Sequence, residues 1–322
     1  MVLPVTVFPV SGVEVSPFIP PLVAFVVSFF ASMGGISGAF LLLPFQMSFL
    51  HYTNPSVSAT NHFYNVVAIP SGVYRFIKEK RMLWPLAITI AAGTLPGVFA
   101  GAFVRVLWLP DPRLFKLFAA CVLLWIGGKL VRDLLGAPAK PAAAAPSGSF
   151  VVNVVEFSRK RIAYTFQGND YQCSTMGVFV LSLIVGLVGG IYGIGGGAII
   201  APFLISWFRL PVHTISGSTL MGTFLASAAG VIFYTIIAPF FPGQSVSPDW
   251  MLGLLFGFGG LAGMYCGARC QKFIPAVYIK WMLAVVIVGT AVKYMMEFFT
   301  AGTLASLPWL DAALKYLTGF FH

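Results

Sequence analysis

One apolar segment of the chain is interrupted by glycine, and this combination limits what the chain can fold into. Residues 175–208 carry no charged side chain, and six of the nine residues in 189–197 are glycine. An uncharged apolar run of this length is typical of a membrane span. Clustered glycines end a helix, because each destabilises a helix interior by about 1 kcal/mol relative to alanine. The segment therefore predicts a helix that enters the membrane and is broken there.

A membrane location also follows from the composition of the whole chain. Of the 322 residues, 58% are hydrophobic and 9% are charged, and the mean hydropathy is +0.91. Soluble domains carry about 25% charged residues, so we predict an integral membrane protein. In a soluble protein, the net charge of +10 would favour nucleic acid as a partner. Here the basic residues flank the apolar segments, which indicates contacts with membrane lipids and no nucleic-acid partner.

The N-terminal residues and the cysteines exclude further classes of protein. Residues 1–17 have no basic stretch, and Pro4, Pro9 and Gly12 interrupt their apolar run, so we expect no cleaved signal peptide. The four cysteines show no CxxC spacing, which argues against a zinc site and against a disulfide framework. They are Cys121, Cys173, Cys266 and Cys270.

The two halves of the chain repeat one another. A shift of 158 residues aligns Gly35 with Gly193 without a gap. The same shift pairs further residues of the same type, which are Ile36 with Ile194, Gly38 with Gly196, Pro44 with Pro202, Ser58 with Ser216 and Gly72 with Gly230. After a short insertion, Gly93, Gly97 and Gly101 pair with Gly259, Gly263 and Gly267. This self-similarity indicates an internal duplication.

We therefore predict an all-α polytopic membrane protein with two inverted repeats, each with a Gly-broken helical hairpin plus three transmembrane helices. The broken hairpins cover 18–50 and 175–207, and the spans cover 56–74, 83–107 and 113–135, then 214–238, 249–271 and 275–298. The predicted parts are an N-terminal segment (1–17), the first repeat (18–136), a cytoplasmic Pro/Ala linker with a small β-hairpin (137–174), the second repeat (175–299) and a C-terminal amphipathic tail (300–322).

The distribution of charge indicates that the repeats are inverted. Loop 75–81 of the first repeat has four basic residues in seven, and the positive-inside rule predicts that it is cytoplasmic. The aligned stretch 233–239 of the second repeat has no charge, so we expect it outside. Equivalent loops on opposite sides define inverted repeats, as in many secondary transporters. Each broken hairpin must then begin and end on one side of the membrane.

The broken helices predict an anion site. An unpaired backbone amide in hydrocarbon costs several kcal/mol, so irregular backbone is retained there only where protein, water or a ligand satisfies it. A half-helix that begins at such a break points its amides and its positive dipole end into the cavity, which suits a small oxyanion. A polar helix face after each break would add further donors. The candidate substrate-binding residues are Gly35, Ser37, Gly38, Ser58, Asn61, His62, Asn65, Gly193, Gly195, Gly196, Ser216, Thr219 and Thr223.

Simpler roles are open for the same residue types. Glycines can serve close helix packing, which is the role we predict for Gly93, Gly97, Gly101 and their repeat partners. The polar residues can serve as interhelical hydrogen bonds or caps, and His62 can make a structural hydrogen bond instead of titrating or donating to a ligand. No Asp or Glu lies in the middle of a predicted span, which favours a facilitator over a carrier driven by protons or sodium.

The whole pattern resembles the TauE/SafE sulfite exporter family, also called the toluene-sulfonate uptake permeases. The resemblance covers about residues 18–298 and rests on the duplicated Gly-rich half-helix, a polar segment, the basic loop and the Gly-xxx-Gly span. The residues of the polar segment are Asn54, Pro55, Ser58, Thr60 and Asn61. The resemblance implies a multi-pass protein of the bacterial cytoplasmic membrane that transports sulfite, sulfonates or related sulfur oxyanions. The second repeat departs from the pattern, because Val212 and His213 align with Asn54 and Pro55.

We therefore expect a permease or facilitator for sulfite or a small organosulfonate. A membrane potential that is negative inside favours anion export by about 2.3 kcal/mol per charge per 100 mV. The alternatives are a channel-like or accessory membrane subunit, and an intramembrane redox enzyme that uses His62 or the cysteines. The enzyme would need a metal-ligand pair, a nucleophile with a base or a cofactor motif, and we find none, so we predict no enzymatic activity and no cofactor. The expected partners are the anion, membrane lipids and, in a homodimer, a second copy of the chain.

Overall fold

The structure is a computed structural model that describes residues 4–33, 36–78, 80–135, 152–270 and 276–304. In the first half of the chain the helices are α1 (Ile19–Met33), α2 (Ala39–Ser48), α3 (Ser56–Ala68), α4 (Pro70–Lys78), α5 (Trp84–Leu107) and α6 (Pro112–Leu135). In the second half they are α7 (Thr175–Tyr192), α8 (Gly197–Ser206), α9 (Val212–Ile237), α10 (Trp250–Cys270) and α11 (Ala276–Leu304). The Pro/Ala part of the linker and most of the predicted C-terminal tail lie outside the described residues.

Five helical segments in the described part of the chain are long and apolar enough to cross a membrane. They are Trp84–Leu107, Pro112–Arg132, Thr175–Tyr192, Thr214–Phe240 and Trp250–Gly267. The chain is therefore a multi-pass membrane protein. The two predicted hairpins have unequal arms, because α1 and α7 measure about 22 and 27 Å, whereas α2 and α8 measure about 15 Å each. Each break therefore comes after the longer arm of its hairpin and not at the middle of the hairpin.

The predicted span 56–74 is two helices. Helix α3 ends at Ala68 and α4 begins at Pro70, because proline has no N–H to bond the carbonyl four residues earlier. Within α4, Val73 is the buried side chain, and Lys78 at its end is exposed. The chain therefore leaves the apolar core of the protein earlier than the hydrophobic pattern predicts.

Two small antiparallel sheets make the fold mostly helical rather than all-α. The N-terminal hairpin consists of β1 (Thr6–Phe8) and β2 (Val13–Val15). The linker sheet has the order β3-β4-β5, with β3 (Val152–Phe157), β4 (Arg161–Phe166) and β5 (Asn169–Ser174). The sequence pattern predicted β3 and β4 but neither β5 nor the N-terminal hairpin. Strand β5 reads NDYQCS, which lacks the apolar alternation that identifies a strand.

Two rows of glycine hold helices in close pairs. A Cβ on Gly93 of α5 would lie 2.5 Å from the carbonyl oxygen of Phe179 in α7. The other glycines of both rows would also overlap the facing backbone, in α7 for Gly97 and Gly101 and in α1 for Gly259, Gly263 and Gly267. The packing role predicted for these glycines is therefore confirmed. Helix α5 packs on α7, and α10 packs on α1.

Both ends of each broken segment lie near one small sheet. Helix α7 follows β5 directly, and the hydroxyl groups of Tyr164 in β4 and Thr214 in α9 are 2.8 Å apart. In the first half α1 follows β2, and Ser245 joins that hairpin to the start of α3. Its Oγ donates to the Val10 carbonyl at 2.5 Å, and its carbonyl accepts from the Ser56 N–H at 2.9 Å.

Helix α5 connects the two sheet regions. Just before its first turn, the Val152 N–H donates to the carbonyl of Lys80 at 3.4 Å. In its last turn, Arg105 donates to the carbonyl of Thr53 at 2.6 Å, next to the start of α3. The linker sheet and the N-terminal hairpin therefore lie toward opposite ends of α5.

Candidate functional site

Glycines turn the chain between α7 and α8. Gly193, Gly195 and Gly196 have φ values of 86°, 65° and 87°. Glycine reaches this left-handed region readily, whereas it costs other L-residues about 1–2 kcal/mol each. Gly193 ends α7 with its N–H on the carbonyl of Gly189, and α8 begins at Gly197. The break predicted from the glycine cluster is present at this position.

This second break packs closely against α9 and α3. A Cβ on Gly195 would lie 2.6 Å from Ser227 Oγ and 2.8 Å from the carbonyl oxygen of Thr223. A Cβ on Gly193 would lie 2.5 Å from the carbonyl oxygen of Ser58. These positions need glycine for space as well as for conformation, so packing and turning are served by the same residues.

The amides at the start of α8 are available in the sense that they make no hydrogen bond with the described residues. The N–H groups of Gly195, Gly196 and Gly197 donate to no described residue, whereas those of Ile199 and Ile200 donate to the carbonyl of Gly196. The available amides stand at a helix N-terminus, where the helix dipole favours negative charge. Amides in this position are a common way of binding an oxyanion.

The first break is described from residue 36 onward, and the predicted site residue Gly35 lies outside the described residues. Ser37 is buried, and its Oγ accepts from the Ala39 N–H at 3.2 Å and donates to Asn65 Oδ1 at 2.6 Å. Ser37 thus caps the start of α2 and joins it to α3.

Gly38 is required for close approach rather than for conformation. Its φ of −69° is open to any residue. A Cβ there would lie 2.7 Å from Tyr64 Oη and 2.9 Å from Ser28 Oγ, and these two hydroxyl groups are 2.5 Å apart. The start of α2 is therefore packed against α1 and α3 as closely as the second break is packed against α9.

Helix α3 contacts both breaks. Ser58 Oγ donates to the carbonyl of Ile191 at the end of α7 at 2.8 Å. One turn later, Asn61 Nδ2 donates to the carbonyl of Ala39 in α2 at 3.0 Å, and Asn65 follows after a further turn. Ser58 and Asn65 are about 10 Å apart along the helix axis, so the two breaks lie close together. The predicted polar face is therefore divided between them.

Two tyrosines fix the end of α7 between these elements. Tyr192 Oη donates to the carbonyl of Phe40 in the first turn of α2 at 3.1 Å. Tyr234 Oη, from α9, donates to the carbonyl of Gly190 at 3.0 Å. The last turn of α7 is thus tied to the start of the other half-helix and to α9.

Asn61 presents an acceptor to its surroundings. Its Nδ2 donates to the carbonyl of Ala39, and its buried Oδ1 has no hydrogen-bond partner among the described residues. The Asn61 amide has two N–H groups, so one can donate to Ala39 while the other remains for the donor role expected of Asn61.

The α9 residues Thr219 and Thr223 are buried beside the second break. Thr223 Oγ1 donates to the carbonyl of Thr219 at 2.8 Å, and Thr219 Oγ1 donates to that of Ser216 at 3.1 Å. These hydroxyl groups bond their own helix, and rotation would redirect them toward a ligand. Ser216 is half-buried and lies two turns before Thr223 in α9.

Ser227 joins the two halves of the protein, and we did not predict it. Its fully buried Oγ accepts from Asn65 Nδ2 at 3.2 Å and lies 3.3 Å from His62 Nδ1. Ser227 is four residues after Thr223 in the same helical row, and this periodicity is the sequence signal that identifies it.

The hydrogen-bonded side chains of Ser37, Asn65 and Ser227 form a polar chain, and His62 lies at its end. Its ring is fully buried, and a Cβ on Gly230 would lie 3.0 Å from Nε2. Nε2 itself has no hydrogen-bond partner among the described residues. Since Asn65 donates to Ser227, the Ser227 hydroxyl can donate to Nδ1, and Nε2 then carries the proton. His62 is therefore brought into the site, with Nε2 facing the second half of the protein beside Gly230.

A buried cation lies at the end of α5. Arg105 is 0% exposed, and its guanidinium donates to the carbonyls of Leu109 and Thr53. Its Cζ lies 3.7 Å from the centroid of the Phe115 ring. The ion pairs of the described residues do not include Arg105. Its charge is stabilised by dipoles and an aromatic face rather than by a carboxylate.

A family model described as Sulfite exporter TauE/SafE matches residues 21–294, a range that contains both breaks and the helices packed on them. The chain belongs to the TauE/SafE family. The resemblance seen in the sequence is thus confirmed, and this membrane transporter family is not one of enzymes.

Curated relatives of the TauE/SafE chain are distant. The probable membrane transporter protein YunE of Bacillus subtilis is 22% identical over 227 residues, which are 70% of this chain and 76% of the relative. A probable membrane transporter protein of Xylella fastidiosa is 24% identical over 245 residues, 74% of this chain and 78% of the relative. The Sulfite exporter TauE/SafE family protein 6 of Arabidopsis thaliana is 28% identical over 137 residues, 42% of this chain and 29% of the relative. No solved structure matches.

Proposed function

We propose that this transporter moves sulfite or a small organosulfonate across the bacterial cytoplasmic membrane. The observation that carries the proposal is the polar chain between the two broken helices, in which Ser37 donates to Asn65 and Asn65 donates to Ser227. Polar groups inside a membrane protein are costly, and they commonly mark a substrate pathway. The choice of a sulfur oxyanion follows from membership of a family of sulfite exporters.

The proposed ligand site lies where the free amides at the start of α8 meet this polar chain. Gly195 lies against Ser227, so a ligand at these amides would be close to a hydroxyl group that already connects both halves. Amide and hydroxyl donors bind an oxyanion without a fixed positive charge. This keeps the affinity moderate, and a transporter must release its substrate as well as bind it.

The proposed mechanism requires two repeats in inverted orientation. Two equivalent loops support it, because they lie at opposite ends of the protein. The loop after α4 contacts the linker sheet through Lys80. The aligned loop before α10 contacts the N-terminal hairpin, where Ser11 N–H donates to Asp249 Oδ2 at 3.0 Å. The equivalent pairings of α5 with α7 and α10 with α1 are also those expected for a pseudo-two-fold axis.

The close packing of the breaks favours a carrier over a channel. The contacts at Gly38, Gly193 and Gly195 leave no space for a single added carbon atom. Passage of an anion therefore requires one half to move against the other, which is alternating access. With a membrane potential that is negative inside, net movement down the electrical gradient is export.

Flux into proteoliposomes tests the proposal. Purified protein would be reconstituted and assayed with labelled sulfite, thiosulfate, sulfate, sulfoacetate and short carboxylates. We expect saturable flux of sulfite or a sulfonate that unlabelled substrate competes with. Saturable flux of carboxylates alone would refute the substrate class, linear flux would indicate a channel, and no flux of any anion would indicate an accessory subunit.

A pair of variants links the flux to the site. Ser227→Ala removes the hydroxyl group that joins the two halves and should lower the flux. Thr290→Val removes a half-buried α11 hydroxyl group whose bond within the described residues is to Val286 of its own helix, and it should leave the flux unchanged. Equal flux in both variants would show that transport does not depend on the polar chain.

A further inference from the structure

A groove of about 700 Å³ opens between α6 and α8, away from the two breaks. Among the described residues, its lining combines aromatic and basic side chains. The lining residues are Leu124, Trp125, Gly128, Lys129, Arg132, Phe203 and Trp207. A groove of this composition is suited to a ligand that is both anionic and apolar.

The aromatic residues form a continuous surface in the groove. The rings of Trp125 and Phe203 stack with centroids 5.0 Å apart and an interplanar angle of 20°. Trp207 meets Phe203 edge-on at 4.5 Å, and Lys129 Nζ lies 4.9 Å from the Phe203 centroid. One basic group is thus held over the aromatic surface, and Arg132 is exposed at its margin.

The groove faces outward, where lipid surrounds the protein. Trp125 is 41% exposed and Trp207 is 68% exposed, and such exposure of tryptophan is typical of the membrane interface. Arg132 lies in the last turn of α6, just before the linker, and α8 leads to the α9 turn that Tyr164 of the linker sheet contacts. The groove therefore lies toward the linker sheet, on the side where the basic loop 75–81 is found.

We propose that this groove binds the phosphate headgroup of an anionic phospholipid. Arg132 and Lys129 would contact the phosphate, and the first methylene groups of an acyl chain would lie along Trp125 and Leu124. Anionic lipids are concentrated in the cytoplasmic leaflet and bind basic pockets between transmembrane helices. The exposed apolar lining favours a lipid over a free phosphate ion, because a small inorganic ion would leave the exposed surface of the tryptophans without an apolar partner.

The lipid would act on an element of the proposed transport site. Phe203 belongs to α8, whose first residue Gly197 carries one of the available amides. Binding at one end of this ten-residue helix would therefore stabilise one position of the helix as a whole. The lipid site itself does not depend on which anion is transported.

Thermal unfolding of the purified chain in neutral detergent tests the proposal. Dioleoyl phosphatidylglycerol, dioleoyl phosphatidylcholine and glycerol 1-phosphate would be titrated separately. We expect phosphatidylglycerol alone to raise Tm in a saturable manner. The double variant Lys129→Gln/Arg132→Gln should weaken this effect at least tenfold, whereas Lys129→Arg/Arg132→Lys should retain it. The matched control is Arg159→Gln/Lys160→Gln, which removes two exposed charges from the turn between β3 and β4 and should respond like the native chain.

Three outcomes would overturn the lipid site. The first is a Tm response to phosphatidylglycerol that is unchanged in the Lys129→Gln/Arg132→Gln variant. The second is a control variant that loses this Tm response to the same extent. The third is a rise of Tm with glycerol 1-phosphate that equals the rise with the lipid. The last outcome would indicate a site for soluble anions. Lipid co-purification, measured by mass spectrometry of the same proteins, gives a reading that does not depend on their stability. Loss of transport with a normal lipid response would instead bear on the proposed function alone.

Discussion

Asn65 and Ser227 are 162 residues apart in the chain and share a hydrogen bond of 3.2 Å in the protein interior. Because Asn65 Oδ1 accepts from Ser37, its Nδ2 must point to Ser227, so the direction of each hydrogen bond is set. The row of polar groups continues to His62, whose Nδ1 lies 3.3 Å from Ser227 Oγ. One row of polar groups therefore extends from the first broken helix across α3 to the second half.

Ser227→Ala is expected to destabilise the protein and to impair transport. It leaves the buried Asn65 amide and His62 Nδ1 without their shared partner, at a cost of about 1–3 kcal/mol. Thermal unfolding of the purified variant measures the stability, and flux at a temperature well below its Tm measures the activity. A variant that is fully stable and fully active would show that the hydrogen bond between the halves has no role in either property.

Gly195→Ala is expected to be more damaging than Gly168→Ala. Its φ of 65° is left-handed, and the added Cβ would meet Ser227 and Thr223, so strain and overpacking together cost roughly 2–5 kcal/mol. Gly168→Ala is the control for strain alone, with φ of 77° and nothing within 4 Å of the added atom. Expression and thermal stability should rank native, Gly168→Ala and Gly195→Ala in decreasing order. The reverse order of the two variants would contradict the packing at the break.

The positions of the breaks and of the glycine rows could be predicted from the sequence because they are local properties. A run of left-handed residues requires glycine, and an i, i+4 glycine row permits backbones to touch at any partner. The helix that each glycine row packs against could not be predicted from the sequence. That Gly93 faces Phe179, and Gly259 faces Pro21, depends on which helices become neighbours.

The candidate site could be predicted only in part, for the same reason. Asn65, His62 and Ser37 are local features of polar stretches, and they do meet in the structure. Ser227 lies in a stretch of small residues, and its importance arises from a contact across the protein. The pattern also could not show that Asn61 would donate to the carbonyl of Ala39, because that contact depends on where α2 begins.

Arg105→Met is expected to lower stability by about 2–4 kcal/mol. Methionine preserves contact with Phe115 but leaves the carbonyls of Leu109 and Thr53 without their donor. Arg105→Lys should recover only part of the lost stability. A single ammonium group does not span both carbonyls as the planar guanidinium of arginine does. Tm of the three proteins in one detergent provides the comparison. If methionine and lysine are equally tolerated, the guanidinium does not hold these segments together.

Cysteine labelling tests the proposed inversion of the repeats. Lys78→Cys and Pro242→Cys place thiols at exposed positions in equivalent loops of the two halves, in a background with Cys121, Cys266 and Cys270 replaced by serine. A membrane-impermeant maleimide added to intact cells should label the cysteine at position 242 alone, and added to inverted vesicles it should label the one at 78 alone.

The remaining native cysteine provides an internal check of that experiment. Burial raises the pKa of Cys173 to about 11, and the thiolate is the reactive form, so at pH 7.5 its labelling should be negligible in a folded protein. Unfolding in detergent should expose it and restore labelling. If Cys173 reacts in the folded chain, the linker sheet is not packed on α7 and α9.

If positions 78 and 242 react from the same side, the equivalent loops share a compartment, and the two halves cannot be inverted copies.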